Sequence, residues 1–113
     1  MAMFGGRRRK WRERSAERFR CQVPGQLELC DSGVVFEGQL IDMSIGGAMF
    51  RPALAFLLAR KSGDVILRIG DLAIAGEIMG TSPRGYGLRF DKVLPDAALR
   101  QVLAAGEDVA RAA

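Results

Sequence analysis

Asp42, Ser44 and Gly47 form the pattern D-x-S-x-x-G inside the stretch "QLIDMSIGGAMF", which runs from Gln39 to Phe50. In an extended chain, residues two apart share a face, so Asp42 and Ser44 point the same way. A carboxylate and a hydroxyl side by side can accept from and donate to one ligand. Gly46 and Gly47 permit positive φ and leave room for a ligand to approach the backbone. Asp42 repels a phosphate, so it needs a donor partner. A guanine offers N1–H and its 2-amino group; an arginine offers its fork. The competing reading is a turn in which Asp42 and Ser44 bond nearby backbone N–H groups, and for such a stretch taken alone it is the commoner one.

A second pair lies upstream. Arg14 and Arg18, in "RSAER", are four apart and share a face whether the segment is helical or extended. Like charges at this spacing repel, and an anion between them relieves the repulsion. Guanidinium forks suit phosphate oxygens and the O6/N7 edge of guanine. The competing reading is a solvated arm partly neutralised by Glu13 and Glu17. Nearby, Trp11 has three readings: stacking on a base for about 1–3 kcal/mol, anchoring the arm, or plain exposure. Arg20, Arg51 and Arg89 can line the same surface, although a strand's solvent face accounts for each.

The composition removes several chemistries. Histidine is absent, so His-based triads, His general bases and His metal ligands are excluded. Cys21 and Cys30, nine apart, are too few for a zinc site and read as reduced thiols in or near strands. No acid pair or other catalytic constellation is evident. The expectation is a non-enzymatic protein with no metal and no cofactor.

The formal charge of +4 is uneven. Residues 7 to 20 hold eight Lys/Arg and two Glu, a local +6; the rest holds nine basic and eleven acidic residues, a net of −2. Such an arm seeks anions. The longest apolar run, Ala53 to Ala59, has seven residues, far from the ~18 of a membrane span. The leading arginines are not followed by a long apolar stretch, so a cytoplasmic protein is expected, with no membrane insertion.

The elements that must position these residues are short strands. Val34, Phe36 and Leu40 alternate in one; Val65, Leu67 and Ile69 in another; Leu72, Ile74 and Ile78 in a third; Tyr86, Leu88 and Phe90 in a fourth. "FRCQVPGQLELC" alternates loosely around a Pro-Gly interruption, and "GGAMFRP" is a short strand. "DSG" and "TSPRG" are turns. "ALAFLLARKSGD" stays ambiguous. Six strands near ten residues apart point to a small antiparallel barrel or sandwich. Pro95 suits a first helical position and Asp96 a first turn. Leu99, Val102, Leu103, Gly106 and Val109 then follow helical spacing and would cover an open end or face of the barrel.

The order R-x-x-x-R, strand, D-x-S-x-x-G at the end of the next strand, then a β-rich body resembles the PilZ domain, the bacterial receptor module for cyclic di-GMP. The resemblance covers roughly residues 12 to 92 and includes "YGLRF" as the closing strand. It implies an all-β fold, a six-stranded antiparallel β-barrel, here over residues 21–92; the charge run adds a flexible basic arm over 1–20 and the helical spacing a C-terminal α-helix over 93–113. It also implies roles. Arg14 and Arg18 would clamp phosphate and guanine edges, Asp42 and Ser44 would present oxygens to a guanine, and Gly47 would keep the strand start open. Trp11, Arg12, Gly46 and Arg20 are further candidate contacts. The family binds its nucleotide as one molecule or as an intercalated pair. Both stay open here, with the basic Arg12 before the first motif arginine favouring the pair.

Three functions follow as expectations. The first is a cyclic di-GMP receptor whose arm is ordered by the ligand. With no catalytic module, it would act through a protein effector, such as flagellar motor or polysaccharide machinery, on motility, attachment and biofilm. The second is a PilZ-fold adaptor that binds protein alone, against which the intact motif residues stand. The third, and weaker, is a salt-dependent nucleic-acid binder acting through the arm.

Overall fold

The computed structural model describes residues 17–54 and 62–112, with side chains to Gly106. Arg14, Trp11, Arg12, the ambiguous segment after Leu54 and the side chain of Val109 lie outside the described residues. Six strands follow in order: β1 (Phe19–Leu29), β2 (Val35–Met43), β3 (Gly47–Pro52), β4 (Gly63–Ile69), β5 (Leu72–Ser82) and β6 (Gly85–Phe90). A helix, α1 (Asp96–Ala112), ends the described chain.

The strands close a barrel in the order β1-β2-β3-β6-β5-β4, every pairing antiparallel. Two three-stranded meanders, β1-β2-β3 and β4-β5-β6, are joined edge to edge by β3–β6 and β1–β4. Closure removes the sheet edges that a small open sheet would expose.

Period-two alternation fills the interior. Val65, Leu67 and Ile69 point inward from β4, Ile74 and Ile78 from β5, and Tyr86, Leu88 and Phe90 from β6. Leu40 is fully buried, and Phe36 is half-buried with its ring stacked on Tyr86 at a 6.2 Å centroid distance. Val34 departs from the expected pattern. It precedes β2 and is 46% exposed, because the turn around Gly33 (φ 75°) still carries the chain there.

The Pro24-Gly25 pair does not interrupt β1. Pro24 sits opposite Gln39 in β2, whereas pairing with β4 starts only at Gln26. This stretch has a strand neighbour on one side, which is where a sheet tolerates a residue without an N–H.

Helix α1 starts at Asp96, one position after Pro95, whose carbonyl accepts from Ala98 N and Leu99 N at 3.0 and 3.2 Å. Leu99 and Val102 are buried and join the barrel's core. A Cβ at Gly106 would press on Val23 and the carbonyl of Gln22. The absence of a side chain there lets the helix lie close on β1.

Candidate functional site

Asp42 is placed by an irregularity in β2. Leu40 pairs with Phe50, but Asp42 pairs with Met49, so Ile41 is the extra residue of a bulge. A second register shift, between Arg20 and Val23, lies on the other neighbour of β2. A bulge switches the parity of the strand. Leu40 is inward before it and Met43 inward after it, each with no exposed surface. Asp42 therefore stands on the outer face, opposite Arg20 on β1 and Met49 on β3. Side chains still cover it, leaving it 9% exposed.

The cover is cationic. Arg18, one residue before β1, donates from Nη2 to Asp42 Oδ1 at 2.6 Å. This contact joins residues 24 positions apart in the chain, and it brings the second arginine of R-x-x-x-R onto the D-x-S-x-x-G corner. Sequence reasoning passed over a third participant. Arg84, in the turn between β5 and β6, brings Nη2 to 3.8 Å from Asp42 Oδ2. Its sole sequence signal was an arginine in the turn "TSPRG", and nothing local ties that turn to Asp42. Arg20 is exposed across the strand pair, and Arg51 is exposed on β3. Arg89 is ion-paired with Glu77 across β5 and β6.

Ser44 is engaged with its own turn. Its hydroxyl accepts from the N–H groups of Gly46 and Gly47, each at 3.2 Å, and donates to the Gly47 carbonyl at 3.4 Å. Its N–H donates to the same carbonyl at 2.8 Å. The side chain is buried, and Ser44 lies in the bend after β2. The corner also receives the chain leaving β6. Phe90 N donates to Gly46 O at 2.9 Å and Leu94 N to Ile45 O at 2.8 Å, which aims the chain at Pro95 and α1. Neither Gly46 nor Gly47 has positive φ, contrary to the conformational freedom read from the sequence. Gly47 is required by close approach: a Cβ there would enter the carbonyl oxygen of Leu88. A Cβ on Gly46 would meet nothing within 4 Å.

A family model described as the PilZ domain matches residues 7–105, a span that holds the arm arginines, the barrel and most of α1. The chain belongs to the PilZ domain family. Among solved structures it is similar to the PilZ domain of CeSA from a cellulose-synthesizing bacterium, with 18% identity and a TM-score of 0.53 over 82% of this chain and 97% of that chain. At that identity the likeness concerns the fold. No curated protein matches the chain.

Beside the corner of this PilZ domain, an open groove runs between β1, β2 and α1, lined by Phe19, Cys21, Ile41, Leu103 and Gly106. Burial, and next to it the Asp42 carboxylate, push the Cys21 thiol up to about 11. The thiol donates to the Leu40 carbonyl at 3.7 Å. Both cysteines are free, with Cys30 exposed at the end of β1. Alkylation with iodoacetamide at pH 8 is expected to label Cys30 first. A two-unit rise in pKa cuts the reactive thiolate about a hundredfold. Peptide mass spectrometry showing equal rates at Cys21 and Cys30 would contradict the placement of Cys21. The same shift has a stability sign. The folded chain keeps this proton more tightly than the unfolded chain, so its contribution is full below about pH 9 and falls as pH rises toward about 11.

Among the described residues, no group of three or more Cys, Asp or Glu could hold a metal ion. Nor, among them, is any helix of the PilZ domain long and apolar enough to cross a membrane.

Proposed function

We propose that this PilZ domain is a receptor for cyclic di-GMP, the ligand that domains of this family generally bind. The observation that supports it most directly is the Arg18–Asp42 contact at 2.6 Å. Two motif segments far apart in the chain meet at one end of the barrel, with a half-exposed guanidinium beside a carboxylate. In the bound state, Arg14 and Arg18 hold phosphate and guanine-edge oxygens through charge-assisted bonds. Asp42 accepts from a guanine N1–H and 2-amino group. The Ser44 hydroxyl, held by the turn, keeps the corner in shape, and Gly46 leaves it open. The arm's local +6 complements a ligand with two phosphates and raises its local concentration. Binding draws the arm onto the corner and creates a new surface for a protein effector in the cytoplasm, in motility, attachment or polysaccharide synthesis. The action is binding, not catalysis.

A second reading has its own support. Asp42 and Ser44 are satisfied by Arg18 and by the turn without a ligand, as a PilZ-fold adaptor for protein partners requires. One titration separates the two. Trp11 is the sole tryptophan, so cyclic di-GMP added to the full chain should give saturable heat and a change in indole fluorescence at the same midpoint. Absence of both at millimolar nucleotide would defeat the receptor reading and leave the adaptor.

A further inference from the structure

Arg84 is the group at the corner to which the receptor reading assigns no task. Its Nη2 is 3.8 Å from Asp42 Oδ2, while Arg18 occupies Oδ1 at 2.6 Å. Two guanidinium groups thus face one carboxylate, a surplus of one positive charge. Among the described residues, Asp42 is the acid that either arginine reaches. Glu77, on β5, is taken up by Arg89. The Arg84 side chain is 60% exposed, so solvent and a ligand can reach it.

The separation from Asp42 is too long for a hydrogen bond. It is an ionic attraction that turns the guanidinium toward the corner without consuming its fork. The strands that lead into and out of the Arg84 turn carry glycines on the register of Asp42. The register runs from Asp42 to Met49, Gly87 and Gly80 across β2, β3, β6 and β5. A Cβ at Gly80 would meet nothing within 4 Å, and one at Gly87 would meet the Gly80 carbonyl at 3.9 Å.

We propose that Arg84 is a further anion-binding arginine of the cyclic di-GMP site, holding a phosphate from the barrel side while Arg18 holds it from the arm. Asp42 positions it. This rests on the receptor reading given above. A phosphate between Arg18 and Arg84 neutralises the surplus charge and accepts from a planar fork on each side.

The test is titration of the full chain with cyclic di-GMP at low and high salt, comparing wild type with Arg84→Ala and Arg84→Lys. Arg84→Ala is expected to raise Kd about tenfold at low salt, with the gap narrowing at high salt as the charge contribution is screened. Arg84→Lys should recover part of the loss, and thermal melting of the unliganded variants should match wild type. Tight wild-type binding with an unchanged Kd in Arg84→Ala overturns the inference and leaves the Arg18–Asp42 site standing. Equal losses in both variants, with a lowered melting temperature, mark a structural effect and also overturn it. No binding by the wild type removes the receptor reading, and this inference with it.

Discussion

Arg18→Ala is expected to weaken cyclic di-GMP binding about ten- to a hundredfold, the cost of one charge-assisted hydrogen bond of roughly 1.5–3 kcal/mol. The unliganded protein should barely change in stability. In the free protein the Arg18 side chain is 55% exposed, and an ion pair with so wet a partner is worth about 0–1 kcal/mol. The two readouts therefore separate. Calorimetric titration should show the loss, and thermal melting should not. Arg14→Ala, which changes the other motif arginine, should give a loss of similar size. Undiminished affinity in both variants would remove the arginine pair from the site and place the nucleotide elsewhere on the protein.

Gly47→Ala carries the largest expected effect on stability. The new methyl group would enter the Leu88 carbonyl oxygen, a backbone atom that cannot rotate away. Relief requires β3 to shift from β6, where Gly47 pairs with Arg89 and Ala48 with Leu88. The turn bonds from Gly46 and Gly47 to Ser44 would shift with it, as would the Phe90 bond to Gly46. Overpacking of this kind costs about 1–3 kcal/mol, and in a domain of this size each kcal/mol lowers the melting temperature by about 4–8 °C. Gly46→Ala is the control. Its methyl would meet open space, so its stability should stay within about 0.5 kcal/mol of wild type. Circular dichroism melting of the two variants decides the matter. Equal melting temperatures would mean that close strand approach is not what requires a glycine at position 47.

The adjacent glycines illustrate where sequence reading stops. Their residue type was plain, and both conformational freedom and ligand room were reasonable uses for it. The structure divides them by surroundings: one lies under a neighbouring strand, the other against open space. Ser44 is similar. Its spacing from Asp42 suggested two oxygens on one extended face, but the strand ends at Met43. The hydroxyl turns back to cap two N–H groups, the local-bonding alternative already present in the sequence. Arg84 was out of reach of any local pattern, because its partner lies more than forty residues away on another strand.

Most inward-facing strand positions, the charge divided between arm and body, the lack of histidine chemistry and the two motifs were legible in the chain before folding. These are local properties: period-two alternation records which side of each strand meets the core, and residue type records the available chemistry. Tertiary structure alone decided how the strands close and where the corner points. The closing pairs, β1 with β4 and β3 with β6, join segments whose order in the chain does not reveal their partners. The bulge at Ile41 arises from pairing with β3 and turns Asp42 from the apolar interior to the outer face. There, arginines from two distant segments can reach a charge that the core could not have held.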